Sequence, residues 1–234
     1  MPDMLRLFVA LPLPDTTKRA LQEKCEALRS RLSFQKWVHR DDYHITLKFL
    51  GDTPPQQAAK LTDALREAAR AVRPFPLSLE GLGAFGPPAA PKILWAGVQG
   101  DKSALHKLQQ AVDISLAKAG YAAEEKAYKP HISLARRYAG TDPLERDELA
   151  RQEDAIALSR TVERRDIEPS IETPKSPLAW QASDVVLYVS HLGKTPMYEI
   201  VETFPLNQTA PVPAASFKAY SVEDASCPGG FVFP

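Results

Sequence analysis

The sequence predicts a mixed fold of α-helices and β-strands, and three observations predict it. Strand-forming runs alternate with apolar stripes at helical spacing through the first 135 residues. A pair of strand-like segments follows later, at residues 185–192 and 197–204. One short phrase, histidine–isoleucine–hydroxyl–leucine, occurs twice, each time inside a strand candidate.

Residues 5–11 are rich in strand formers and are bounded by Pro12 and Pro14, which predicts the first strand. Asp15 is placed to cap a helix running to about residue 32, with Leu21, Cys25, Leu28 and Leu32 on one face. Residues 43–50 form the second strand candidate, closed by Gly51-Asp52. Thr53-Pro54-Pro55-Gln56 reads as a helix start, with threonine as cap and proline at the first helical position. Leu61, Leu65, Ala68 and Val72 then line one face. Residues 75–82 and 92–98 read as strands around a turn-rich Gly-Pro segment. Asp101 caps a third helix carrying Leu105, Leu108, Val112 and Leu116, and Gly120 stops it. Residues 129–135 are the next strand.

Two segments break this rhythm. Residues 140–182 are highly charged and hold four prolines, which predicts a long surface loop opened by a short helix near Asp142-Pro143-Leu144-Glu145. The tail, residues 207–234, carries several prolines and reads as loosely held.

Bulk properties narrow the function classes. The chain has 234 residues, 44% apolar and 25% charged, enough for one core or two small lobes. No run of apolar residues is long enough to span a bilayer, and no leader pattern opens the sequence, so a cytosolic, membrane-free protein is the expectation. Cys25 and Cys227 make neither a metal pattern nor a disulfide framework. The net charge of zero argues against strong non-specific binding to long nucleic acid, though a small site can still concentrate positive charge.

The repeated phrase is His44-Ile45-Thr46-Leu47 and His131-Ile132-Ser133-Leu134. Alternation in a strand puts histidine and hydroxyl on one face, about 6–7 Å apart, and the aliphatic pair on the other. Opening a cyclic phosphodiester needs a base for water, an acid for the departing sugar oxygen, and donors for the phosphate oxygens. Two imidazoles and two hydroxyls supply these near neutral pH, and no metal is required. Two ordinary strands with exposed histidines are the competing reading. By alternation Lys48 shares the face of His44 and Thr46, which makes it either a phosphate ligand or a solvated lysine. Trp37 and Trp95 read as core aromatics, and His106 as a surface residue on its helix.

Several segments resemble the RNA 2′,3′-cyclic phosphodiesterases, the 2′-5′ RNA ligase family of the two-histidine phosphoesterases. They are Arg6-Leu7-Phe8-Val9-Ala10-Leu11, Tyr43-His44-Ile45-Thr46-Leu47-Lys48-Phe49-Leu50-Gly51, Ile93-Leu94-Trp95-Ala96-Gly97-Val98 and Pro130-His131-Ile132-Ser133-Leu134-Ala135-Arg136. The resemblance spans roughly residues 4–206, apart from the charged segment. It implies an α+β fold of two pseudo-symmetric lobes, each an antiparallel sheet with helices on its outer face, around a central cleft. It implies His44 as general acid, His131 as general base, and Thr46, Ser133 and Arg136 as phosphate binders. Phe49 would be part of a nucleobase or sugar wall, and His39 lies near enough to be a candidate substrate contact. The implied reaction converts an RNA 2′,3′-cyclic phosphate end to a 2′-phosphate, with no metal or other cofactor. Transfer RNA fragments or small cyclic nucleotides are the candidate substrates, and a monomer is expected. The same site run in reverse would join 2′-5′ ends, and a non-catalytic RNA-end binding module is a further alternative. Serine in the second phrase, where the family more often has threonine, keeps the hydroxyl. The segment 140–182 and the tail borrow no function from the resemblance.

Overall fold

The computed structural model describes residues 4–155 and 178–207. It contains two antiparallel sheets, each forming one lobe of an α+β fold. The first sheet has the order β3-β1-β8-β9, from β1 (Leu5–Pro12), β3 (His44–Thr53), β8 (Asp184–Ser190) and β9 (Tyr198–Pro205). The second has the order β2-β6-β5-β4-β7, from β2 (Phe34–Trp37), β4 (Phe75–Phe85), β5 (Ile93–Gly100), β6 (His131–Tyr138) and β7 (Ala179–Ala182). Three helices, α1 (Asp15–Arg29), α2 (Ala58–Arg70) and α3 (Lys102–Lys118), follow their predicted stripes.

The predicted helical leucines are buried against the strands. Leu21, Leu28, Leu61, Leu65, Leu105 and Leu108 join Leu7, Val9, Leu11, Ile45, Ile132 and Leu134 in one continuous core shared by both sheets. The opposite face of the first sheet carries a separate cluster of Phe8, Ala10, Val186 and Tyr188. Alternation therefore splits β1 cleanly: Leu7, Val9 and Leu11 point to the helices, and Phe8 and Ala10 to the cleft.

Two of the three predicted helix caps are not caps. Asp15 is the first residue of α1, and Pro14 occupies the cap position with no side-chain capping bond. Thr53 does not cap α2, because β3 extends to Thr53 and pairs it with Leu5. A short 3-10 turn at Pro55–Gln57 intervenes, and α2 begins at Ala58. Asp101 does cap α3, its carboxylate accepting the Ala104 N–H at 2.9 Å.

The segment 140–182 is not simply a surface loop. It forms α4 (Arg146–Ala155) and β7, and β7 extends the second sheet by pairing with Phe75–Ser78 of β4. Leu144, Leu149, Trp180 and Ala182 are buried in the common core. Beyond β7's reach, Glu153 of α4 accepts the Leu82 N–H of β4 at 3.2 Å. Four apolar anchors spread through a charged stretch were too sparse to show a period. Residues 156–177 and the tail from residue 208 lie outside the described residues. Leu206 is buried, and the Asn207 N–H donates to the Val72 carbonyl at 3.0 Å.

One close approach needs a glycine. The Trp95 indole lies across Gly83 of the neighbouring strand, and a Cβ there would come within 2.1 Å of the ring. Gly83→Ala is expected to lower stability by about 1–3 kcal/mol in urea unfolding and to shift the tryptophan emission. An unchanged midpoint and spectrum would mean that Trp95 does not rest on this strand.

Candidate active site

The two repeated phrases form the facing strands of the two lobes, β3 in the first sheet and β6 in the second. Each is interrupted by a bulge at the same point of the phrase. Opposite β1, residue Leu47 is the extra one between Thr46 and Lys48. Opposite β5, Leu134 is the extra one between Ser133 and Ala135. A bulge places two consecutive residues on one side and re-aims the side chains beyond it. In both strands the first, third and sixth positions therefore stay off the core, and the second, fourth and fifth are buried. His44, Thr46 and Phe49 correspond to His131, Ser133 and Arg136.

This corrects the reading of Lys48. Alternation put it on the cleft face, but the bulge turns it to the helix side, where it is 2% exposed. Its ammonium pairs with Asp113 of α3 and donates to the Ala122 carbonyl at 2.6 Å. Lys48 is neither solvated nor available to a phosphate. The same bulge brings Phe49 to the cleft, where its ring is 67% exposed and lies 6.0 Å from the Phe8 ring.

Both histidines are held alike. The His44 Nδ1–H donates to the carbonyl of Asp42 at 2.7 Å, and the His131 Nδ1–H to the carbonyl of Lys129 at 2.7 Å. A carbonyl only accepts, so Nδ1 carries the proton and Nε2 is the unprotonated nitrogen of each neutral ring. The Thr46 hydroxyl lies 3.0 Å from His44 Nε2. The Ser133 hydroxyl has no such bond among the described residues, which leaves it free for a ligand.

Asp42, which the sequence reading passed over, ties this arrangement together. It is 7% exposed, and its carboxylate accepts the N–H groups of Met197 and Tyr198 at 2.9–3.0 Å. That fixes the Tyr198 ring edge-on to His44, at 5.1 Å between centroids. Phe8 packs on the other side of His44 at 4.9 Å. His131 is flanked by Phe85 at 4.9 Å and Trp95 at 6.3 Å. Trp95 is therefore a cleft aromatic rather than a core residue, whereas Trp37 packs against the core as expected. Phe8 was legible from the alternation of β1; Phe85 and Asp42 carried no pattern of their own.

Burial pushes the His44 imidazole down to about 4, opposed by its bond to Asp42 and reinforced by the charges of His131 and Arg136. Burial also lowers His131, again opposed by its backbone bond and reinforced by Arg136. Arg136 is exposed on the cleft side and has no carboxylate partner among the described residues. His39 faces a neighbouring cavity that Arg136 also lines, and its Nδ1 accepts the Asp41 N–H at 3.3 Å. His106 is exposed on α3, bonded to its own helix at the Lys102 carbonyl. Among the described residues no group of three or more His, Cys, Asp and Glu is placed to hold a metal, and no helix is long and apolar enough to cross a membrane.

These shifts give a stability prediction. The folded-state value of His44 lies below its unfolded value near 6.5. Between about 4 and 6.5 the unfolded chain binds more protons, so stability falls as the pH drops through that window. His131 acts in the same direction. His44→Gln is expected to flatten the pH dependence of the urea midpoint between pH 7 and pH 4.5. Identical slopes in the two proteins would show that His44 is not buried as described.

The sequence matches the family model described as the 2′-5′ RNA ligase superfamily over residues 17–193. The chain belongs to the 2′-5′ RNA ligase superfamily. A Geobacillus stearothermophilus relative named RNA 2′,3′-cyclic phosphodiesterase is 34% identical over 199 residues, covering 85% of this chain and 56% of that one. Relatives with the same name from Bacillus subtilis and Archaeoglobus fulgidus are each 32% identical, covering 68% and 74% of this chain and 89% and 96% of theirs. The chain thus spans little more than half of the Geobacillus protein but most of the other two. Among solved structures, Escherichia coli LigT in apo form superposes with a TM-score of 0.62 at 19% identity, covering 88% of this chain and 99% of that one. A Thermus thermophilus structure gives 0.61 at 24% identity, covering 86% and 98%. These likenesses establish the superfamily's two-lobed fold.

Proposed function

We propose that this chain hydrolyses RNA 2′,3′-cyclic phosphate ends to 2′-phosphate ends by acid–base catalysis between His44 and His131, without a metal. The observation that carries the reading is the matched pair of imidazoles. Each is locked through Nδ1 to a backbone carbonyl, each offers Nε2 to the cleft, and each has a hydroxyl two residues on. Membership of the superfamily and the names of its relatives support the same substrate.

The cyclic phosphate sits between the two imidazoles. His131 Nε2 takes a proton from water as the oxygen attacks phosphorus. The bond from phosphorus to the 3′-oxygen breaks, and His44 Nε2–H delivers a proton to that oxygen. Thr46 and Ser133 donate to the non-bridging oxygens, and the Arg136 guanidinium offsets their growing charge. Burial disfavours the charged form of both imidazoles in the free protein. The substrate's own negative charge favours protonation of the acid, so binding prepares the proton that the reaction consumes.

The test is an oligoribonucleotide ending in a 2′,3′-cyclic phosphate, incubated with chelator and resolved by end-group analysis. The expected product is a 2′-phosphate only. A 3′-phosphate, or turnover that depends on added metal, overturns the mechanism. Retention of the oligonucleotide without turnover would make the chain a binding module.

A further inference from the structure

The two imidazoles of the cleft are matched at the ring but not behind it. His131 takes its orientation from the carbonyl of Lys129, an exposed residue whose side chain makes no bond among the described residues. His44 takes its orientation from the carbonyl of Asp42, a buried residue at the end of the short 3-10 turn Arg40–Asp42. The Asp42 carboxylate reaches the start of β9, 155 residues further along the chain. Its Oδ1 alone accepts both backbone donors there, the Met197 N–H at 2.9 Å and the Tyr198 N–H at 3.0 Å. Oδ2 adds a second contact to Met197 at 3.0 Å.

One residue therefore holds His44 from two sides. Its carbonyl fixes the ring through Nδ1, and its carboxylate fixes the segment carrying Tyr198, whose ring stands edge-on to His44. The connection between β8 and β9 comes with it, since Leu192, Lys194 and Thr195 line one cavity with His39 and Asp42. Buried backbone N–H groups do not stay unpaired, so without this carboxylate the segment must shift to find other acceptors.

The brace stands behind only one of the two rings, and His131 is locked to a carbonyl without any. The two duties in the proposed reaction differ in the precision they demand. A base acts on a water molecule, which adjusts its own place. An acid must meet an oxygen that the bound substrate holds still, and a misplacement of about 1 Å can cost on the order of 10²-fold.

We infer that Asp42 is a positioning residue for His44, holding the imidazole in line with the departing 3′-oxygen by accepting the Met197 and Tyr198 N–H groups. The inference rests on the function proposed above, with His44 as its acid. What the brace requires is an acceptor rather than a negative charge, because a single oxygen takes both donors.

Two substrates separate positioning from support of the fold. One is an oligoribonucleotide ending in a 2′,3′-cyclic phosphate, whose leaving oxygen needs a proton. The other is an acyclic ribonucleoside phosphodiester with a p-nitrophenolate leaving group, which needs none. Asp42→Ala is expected to lower kcat on the cyclic end about 10- to 100-fold, with KM within about threefold. Its rate on the p-nitrophenyl diester is expected to stay within about twofold of wild type, so the ratio of kcat/KM on the two substrates falls at least about fivefold. That ratio is insensitive to the fraction of folded enzyme, so a partly unfolded variant still gives an answer. Asp42→Asn keeps an oxygen where Oδ1 stands and is expected to recover most of the loss. In the His44→Ala background, Asp42→Ala is expected to change turnover of the cyclic end by no more than about twofold, because the group it positions is gone. A wild-type ratio in Asp42→Ala overturns this inference, as does an undiminished effect in the His44→Ala background. An Asp42→Asn enzyme no better than Asp42→Ala overturns it too, by giving the effect to the charge. No turnover of the cyclic end by the wild type overturns instead the function on which the inference stands.

Discussion

His44→Ala and His131→Ala are each expected to lower kcat/KM on a 2′,3′-cyclic phosphate end by about 10²–10⁴-fold. That corresponds to about 3–5 kcal/mol of lost transition-state stabilisation. Both imidazoles are clamped at Nδ1, which leaves the Nε2 of His44 beside the Thr46 hydroxyl and the Nε2 of His131 without a bond among the described residues. The double variant is expected to be little worse than the single ones, since groups acting on one proton-transfer sequence are not additive. Acid and base are separable with an acyclic ribonucleoside diester whose leaving group is p-nitrophenolate. That leaving group needs no proton, so His44→Ala should recover most of its rate and His131→Ala should not. Equal recovery in both variants, or none in either, removes the assignment of roles. Wild-type rates in both variants remove the site.

Lys48→Ala is expected to cost about 3–5 kcal/mol of stability in urea unfolding, because it strands the Asp113 carboxylate and the Ala122 carbonyl beside a core position. The paired variant Lys48→Met with Asp113→Leu is expected to regain most of that loss, since an apolar pair of similar volume removes both charges. At a temperature where it is folded, the paired variant should hydrolyse the cyclic phosphate within a few-fold of wild type. A collapse of kcat with stability intact would place Lys48 at the phosphate after all, and would contradict the bulge at Leu47.

That bulge also explains how far the sequence could be read. The repeat of histidine and hydroxyl needed only the two-residue period of a strand, and the structure puts all four side chains where that period placed them. Past the hydroxyl the period fails. One extra residue in each strand exchanges the fourth and fifth positions after the histidine, which moved Lys48 into the core and Phe49 into the cleft. A bulge is set by pairing with β1 or β5, so nothing local to the strand announces it. Arg136 came to its place from the resemblance, and the bulge at Leu134 supplies the physical reason. The helical stripes of α1, α2 and α3 were legible because four apolar residues recur in each. β2 was not, because an edge strand of four residues shows no period. Asp42 was invisible for a related reason: its three bonds reach Met197 and Tyr198, far along the chain, and no spacing rule covers such a distance.

The matched strands are equal in their first three positions and unequal in the sixth, where one presents the Phe49 ring and the other the Arg136 guanidinium. Up to the hydroxyls the cleft is a near mirror of itself and would accept a cyclic ester facing either way. The sixth position abolishes that ambivalence. A nucleotide turned end for end would set its heterocycle against a cation and leave the guanidinium side without its anion. The cleft therefore has a polarity, and under the proposed mechanism the company kept two places beyond their bulges would give two otherwise similar imidazoles distinct duties.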